Sequence, residues 1–360
     1  MKKILADYNI EELEVMLKDL GEPKFRAKQI FEGVHRGKRL GEMTNLSKAL
    51  VAKLNENFVE TGITIYDKFV SKKDGTIKYL FELQDGNVIE GVLMKYKYGN
   101  TICISTQVGC RMNCAFCASG LEGLIRNLSA GEILGQVLEV NRDALIGDEE
   151  RSVTNIVLMG SGEPFDNYDN VTKFLRLVND ERGINISKRN ISLSTSGLCD
   201  RIYQFADEGY KVTLTISLHA PNNGIRNTIM PVNKKYHVED VIKAAKYYFD
   251  KTGRRIIFEY SMIDGVNDSR KEALELVKLL RGLTCHVNLI NLNYVKERGL
   301  KGAEKDTVKE FMDVLNSEGV SCTLRRTMGS DIDGACGQLR RRVLEENGKL
   351  TTKKINKKVD

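Results

Sequence analysis

From residue 100 onward the chain alternates between short β-branched runs and longer stretches of helical periodicity. The strand-like runs are TICISTQ (101–107), TNIVLMG (154–160), NISLSTS (190–196), VTLTISLH (212–219), RIIFEYSMI (255–263), HVNLINLN (286–293) and CTLRRT (322–327). Helical patterns lie between successive runs. The first opens with the capping box Ser129-Ala130-Gly131-Glu132, ahead of Ile133, Leu134, Val137 and Leu138. Strands separated by a helix pair in parallel, because each crossover returns the chain to the same end of the sheet. The expected core is therefore α/β with a parallel sheet, open or closed as a full or partial barrel. In such sheets chemistry gathers at the C-terminal ends of the strands.

The first hundred residues follow other periods. Leu13, Met16, Leu17 and Leu20 recur at helical spacing, and Gly21 with Pro23 supplies a stop. Ala27, Ile30, Phe31 and Val34 repeat the pattern on a basic helix bearing Arg26, Lys28, Arg36, Lys38 and Arg39. From Ile63 to Tyr98 the period drops to two, and Asp74-Gly75 and Asp85-Gly86 divide three runs into a β-meander. The expected organisation is a helical accessory domain over residues 1–60, a β-meander over 61–98, the βα core over 99–329, and a C-terminal loop and basic tail over 330–360.

Composition bounds the function class. Charged residues make up 29% of the 360, and no apolar run approaches the ~18 residues of a membrane span. The opening Met1-Lys2-Lys3 runs into Asp7 too early for a signal peptide. Collagen, disordered and transmembrane classes are excluded, and a soluble cytoplasmic protein is expected. The net charge of 55 − 49 = +6 permits nucleic-acid binding without demanding it. Arg340 to Asp360 carries eight Lys or Arg against three acids, either a solvated terminus or a phosphate-gripping tail.

Eight cysteines in such a chain do not read as disulfide staples. Cys110, Cys114 and Cys117 form a CxxxCxxC on the loop after the first core strand. Zinc wants four ligands, and no neighbouring His or Cys supplies the fourth, so zinc needs a remote one such as His219. An iron–sulfur cubane held by three cysteines instead leaves one iron open to a substrate ligand. Cys199, Cys285 and Cys322 match no motif and read as small packing residues.

The triplet resembles the signature of radical S-adenosylmethionine (SAM) enzymes. That resemblance implies a partial (β/α)6 barrel and a [4Fe-4S] cluster whose open iron chelates SAM, so that one electron cleaves SAM to a 5′-deoxyadenosyl radical. TICISTQVGCRMNCAFCASG, MGSGEPFDNYDNV, LSTSG, SLHAPN, PVNKKY and DIDGACGQL together resemble the dual-specificity 23S rRNA and tRNA (adenine-C2)-methyltransferase family, from about residue 10 to residue 340.

Adenine C2 is electron-poor and cannot attack the methyl of SAM. A radical route works if the methyl is first parked on a thiolate, which demands a thiol beyond the three that hold the cluster. Cys336, flanked by Gly334 and Gly337, fits, and the family's matching cysteine becomes S-methylcysteine. The resemblance implies two SAM consumed per methylation. The resemblance makes Cys103 the resolving thiol of a transient disulfide and Glu90 the acceptor of the C2 proton. On residues alone, Cys103 reads as a core cysteine, and Glu90, which shares a strand face with Val88, Val92 and Met94, as an edge-strand charge. Small residues around Gly162 let the backbone approach SAM and Glu163 can pair with its ammonium; Ser194, Ser217, Leu218, His219 and Asn293 match further SAM contacts.

The resemblance also implies a flavodoxin or ferredoxin as electron donor. The partners expected are 23S rRNA and tRNA, with no membrane, for a monomeric enzyme. Ser161 and Ser119 depart from the commoner methionine and threonine, which touches only SAM packing. An antibiotic-resistance relative that methylates adenine C8 is the nearest alternative. It typically has a cysteine two residues before the triplet, where this chain has Val108, and reads GEA where this chain has Gly162-Glu163-Pro164. A radical SAM enzyme with another substrate and a zinc-binding RNA module are the remaining alternatives.

Overall fold

The computed structural model describes residues 1–145 and 151–332. Cys336 and the basic tail from Arg340 lie outside the described residues.

Ten strands form one sheet, and their order across it is their order along the chain. They are β1 (Ile63–Val70), β2 (Ile77–Leu83), β3 (Val88–Tyr96), β4 (Gly99–Cys103), β5 (Val153–Leu158), β6 (Ile191–Thr195), β7 (Thr213–Ser217), β8 (Ile256–Met262), β9 (Cys285–Asn291) and β10 (Cys322–Leu324). The pairings from β1 to β4 are antiparallel. From β4 to β10 every pairing is parallel. A doubly wound sheet reverses its strand order partway across. This one does not, which is the progression of a barrel left open. The meander is thus continuous with the core sheet through the β3–β4 ladder.

Three helices precede the sheet: α1 (Ile10–Asp19), α2 (Arg26–His35) and α3 (Lys48–Asn57). The crossovers that follow carry α4 (Ala130–Ala144), α5 (Tyr168–Val178), α6 (Cys199–Asp207), α7 (Asn223–Ile229), α8 (Val238–Thr252), α9 (Arg270–Leu280) and α10 (Lys305–Ser317). The predicted capping box starts α4: Ser129 Oγ accepts from the Glu132 amide at 3.1 Å, and Glu132 accepts from the Ser129 amide at 2.9 Å. Two glycines on α4 let the N-terminal segment sit against it. A Cβ at Gly131 would stand 2.7 Å from the Asp7 nitrogen, and one at Gly135 would stand 2.9 Å from the Thr61 carbonyl. Side chains from one face of the sheet, the helices packed on it and α1–α3 join one continuous apolar core, while the other face carries the cleft. Among the described residues, no helix is long and apolar enough to cross a membrane.

Three local expectations change. The run TICISTQ is not one strand: β4 ends at Cys103, and Gln107–Gly109 pairs instead with Leu124–Asn127 as a separate antiparallel ribbon. The final run shortens to Cys322–Leu324. The basic helix ends at His35, so Arg36, Lys38 and Arg39 lie beyond it. Arg39 points inward to α4, donating to both oxygens of Glu139 at 2.7 and 2.6 Å, and Arg142 pairs with Glu42 at 2.9 Å.

Candidate active site

The loop carrying the cysteine triplet is closed at its neck. Gly109 has φ +76°, and a side chain there would strike the Gly123 carbonyl, to which the Cys110 amide donates at 2.9 Å. Only glycine allows the two arms of the ribbon to approach this closely. Farther along, the Ala115 amide donates to the Ile229 carbonyl at 2.8 Å, and Arg298 donates to the Cys117 carbonyl at 3.2 Å. The loop is therefore tethered at its start, middle and end.

This loop covers the C-terminal ends of the parallel strands, where a cleft of about 460 Å³ opens. Cys103, Cys110, Cys114 and Cys117 all line it. So do Gly162, Glu163, Ser194, Ser217, His219 and Asn293. Two of the predicted residues among those described do not. The Leu218 side chain is buried in the core, and Glu90 sits on the sheet face beside the cleft.

Burial pushes the Cys110 thiol up to about 12, with Glu163 and Cys117 adding to the rise. Burial likewise raises Cys114, and Cys117 and Cys110 reinforce it. Such thiols stay protonated at neutral pH unless a cationic centre draws the protons off, and an iron–sulfur cluster does that. Among the described residues no three His, Cys, Asp or Glu side chains converge to hold a single metal ion. A cubane needs no such convergence, since each thiolate binds its own iron. Three thiols on one tethered loop fit that group.

The opposite wall is built from strand ends. Glu163 caps the turn Pro164–Asn167, its Oε1 accepting from the Phe165 amide at 3.1 Å. Its Oε2 accepts from the Ser196 amide at 2.7 Å, which ties the end of β5 to the end of β6. Burial raises its pKa, and the hydrogen bonds from Ser196 and Thr195 oppose the rise. Gly162 has φ +110°, and a Cβ there would stand 2.7 Å from the Gln107 side chain. His219 is buried and neutral, its pKa lowered to about 3 by burial and then by the nearby Arg226 charge. Its Nδ1 accepts from the Ser261 amide at 2.9 Å, and its ring meets Phe116, inside the cysteine triplet, edge-on at 4.6 Å. The Ser119 hydroxyl, on the cleft wall, is buried with no hydrogen-bond partner, as is Glu259 Oε2.

Two cations that sequence reasoning missed hold this site. Arg226 on α7 is 0% exposed. Its guanidinium donates to the carbonyls of Leu218 (3.0 Å), Ser196 (2.6 Å), Ser217 (3.1 Å) and Tyr236 (3.3 Å), and to Asn233 Oδ1 (3.1 Å). The second is Lys78 on β2, also 0% exposed, whose Nζ lies 3.1 Å from Glu90 Oε2. Register places them precisely enough to read the face: Lys78 opposes Val92, Val92 opposes Cys103, and Leu80 opposes Glu90. Lys78, Glu90, Val92 and Cys103 therefore share one face of the sheet. The one signal for Lys78 was its placement inside a run otherwise suited to the core; Arg226, among Asn222, Asn223, Gly224, Asn227 and Thr228, carried none.

Residues 104–280 match the family model of the radical SAM superfamily, and residues 4–59 match the model of the ribosomal RNA large subunit methyltransferase N-terminal domain. The chain is similar to the "Probable dual-specificity RNA methyltransferase RlmN" of Caldanaerobacter subterraneus subsp. tengcongensis, 51% identical over 345 residues that cover 95% of this chain and 99% of the relative. The protein of the same description from Alkaliphilus oremlandii is 53% identical over 347 residues, covering 96% and 100%. Among solved structures, a radical SAM methyltransferase from Sphaerobacter thermophilus superposes with a TM-score of 0.89 at 43% identity, covering 93% of this chain and 98% of that one.

Proposed function

The chain belongs to the radical SAM family of dual-specificity RNA methyltransferases, and from that membership we propose that it methylates C2 of adenosine in 23S rRNA and tRNA by way of an S-methylcysteine, consuming two SAM per methylation. The observation that carries the reading is the meeting of Cys103 with Cys110, Cys114 and Cys117 on one cleft. That is one thiol more than a site-differentiated cluster takes, on a wall shared with the predicted SAM contacts.

The family works with a [4Fe-4S] cluster and SAM, which when bound supply one-electron cleavage of SAM and hence a carbon radical. Cys110, Cys114 and Cys117 hold the cluster. Gly162, Glu163, Ser194, Ser217, His219 and Asn293 hold SAM, and Leu218 contributes through its main chain because its side chain belongs to the core. Cys336 receives a methyl by displacement at the methyl carbon of SAM, releasing S-adenosylhomocysteine. The carbon radical would take one hydrogen atom from the S-methyl group of Cys336, and the carbon would then join C2, the adduct giving one electron back. Glu90 takes the C2 proton, Cys103 attacks the Cys336 sulfur, and the carbon released from that sulfur is protonated to the methyl group as the disulfide forms; an external thiol later reduces the disulfide. RNA is drawn to the basic N-terminal helices and the Lys/Arg tail by phosphate charge, with the target base extruded into the cleft. A flavodoxin or ferredoxin supplies the electron, and the enzyme works as a cytoplasmic monomer.

Mass spectrometry of adenosines from 23S rRNA and tRNA treated with the reconstituted enzyme tests the assignment. The expected product is 2-methyladenosine in both. Methylation at C8 overturns it in favour of the resistance-type activity.

A further inference from the structure

We propose that Lys78 is a positioning residue for the methyl-release step: through a buried ion pair it holds the Glu90 carboxylate in place as the acceptor of the C2 proton. The inference rests on the reading of Glu90 as that acceptor and adds a residue that acts on it.

The physical problem is Glu90's surroundings. It stands between Val88 and Val92 on β3, opposite Leu80 of β2, and is buried. A carboxylate among such neighbours has few groups to fix its direction, and a proton acceptor works only if it is aimed at the proton it takes. Lys78 Nζ, 3.1 Å from Glu90 Oε2, supplies that anchor. The lysine is itself 0% exposed, so its ammonium has given up water to sit there. Burying both ions costs more than an apolar pair of the same size in most proteins, so stability alone is a poor reason for this pair.

Placement supports a role in the reaction. Lys78, Val92 and Cys103 lie in one row across β2, β3 and β4, and Glu90 is diagonal to that row on the same face. Val92 and Cys103 line the cleft. Glu90 thus stands on the strand next to the predicted resolving thiol and Lys78 one strand farther, on the same face, where proton removal and disulfide formation must coincide. The other ionisable groups facing this pair, among the described residues, are Glu82 of β2 opposite Val88, Asp67 of β1 opposite Leu80, Tyr66 packed on Leu80 and Val88, Tyr96 of β3, Cys103, and Arg325 and Arg326 of the segment that packs over Val92 and Cys103. Lys78 lies within ion-pair distance of Glu90.

The test follows each step in the full-length, cluster-loaded enzyme with tRNA. In Lys78→Met, cluster content, SAM binding and methyl loading of Cys336 are expected to stay within twofold of wild type. At pH 7 a covalent RNA–protein adduct accumulates, and release of methylated RNA falls at least a hundredfold. Lys78→Arg restores at least a tenth of the wild-type rate. If Lys78→Met does not fold, Lys78→Gln, which keeps a hydrogen bond without the charge, carries the same expectations. Normal release in the neutral variant overturns the assignment. So does an equal loss of Cys336 loading, which marks a structural role. Glu90→Gln serves as the control for the underlying reading. If it releases product normally, the reading of Glu90 itself fails; if it traps adduct while Lys78→Met does not, only the role of Lys78 fails.

Discussion

Replacing Arg226 by methionine separates packing from electrostatics at the floor of the site. The guanidinium satisfies the carbonyls of Ser196, Ser217, Leu218 and Tyr236 and the Asn233 side chain. Methionine fills much of the volume but donates nothing. Each buried acceptor left without a donor costs roughly 1–3 kcal/mol. Five of them would exceed 5 kcal/mol, but relief from burying a cation, and the second partner that strand carbonyls often keep, return part of that. The expected loss of unfolding free energy is about 3–5 kcal/mol, read by urea denaturation of the apoprotein. Function should fall through geometry. Ser217 and Leu218 are predicted SAM contacts, and Arg226 ties their carbonyls to that of Ser196 on the neighbouring strand end. Loosening this tie should weaken SAM at least tenfold, about 1.4 kcal/mol, by calorimetry on the cluster-loaded protein. Arg226→Lys should recover part of the stability but little of the affinity, since one ammonium cannot reach carbonyls on three segments. A methionine variant within about 1 kcal/mol of wild type, with SAM affinity intact, would refute the clamp.

Cys336→Ala should abolish methyl transfer while cluster iron and labile sulfide stay at wild-type levels; normal turnover would end the parked-methyl mechanism. Cys103→Ala should trap a covalent enzyme–RNA adduct on denaturing gels, and clean product release would count against its resolving role. His35 is fully buried with its pKa lowered to about 4, by burial, against an ordinary 6.5. The unfolded chain therefore binds the proton first as pH falls, so stability drops between about pH 6.5 and 4. The 2.5-unit difference corresponds to roughly 3 kcal/mol; an equally steep fall of the urea midpoint in His35→Gln would rule this source out. Arg39→Ala should cost about 1–3 kcal/mol by leaving the buried Glu139 carboxylate unpaired. It should leave the salt dependence of RNA binding unchanged; a slope reduced by about one would instead make Arg39 a phosphate contact.

What could be read in advance was whatever local rules dictate. The alternation of strand and helix gives the parallel sheet because each crossover must return the chain to the same end. Ser129 and Glu132 cap α4 as their spacing requires. The three cysteines lie within eight residues, so their meeting on one loop needs no long-range information. The break in TICISTQ was not legible for the opposite reason. Nothing in Ile104-Ser105-Thr106 disfavours a strand. The Ile104 carbonyl and the Thr106 amide are claimed by Gly160 and Ser161, more than fifty residues away, and the chain turns to meet them.

Charge was the least legible property, and both directions of error share one cause. Lys78 and Arg226 escape a reading of the sequence because an isolated cation inside a protein costs several kcal/mol. That cost is met here by partners distant in sequence or on other segments: a carboxylate one strand away for Lys78, four carbonyls and an amide oxygen for Arg226. Conversely, Arg39 reads as one charge of a basic helix, yet it turns to Glu139, a hundred residues later, on α4. A charged side chain goes where acceptors of the right number and sign exist, and tertiary structure alone decides where those are. The cysteines reveal which chemistry the cleft is built for; the buried lysine and arginine reveal how its strand ends and its proposed base are held ready for it.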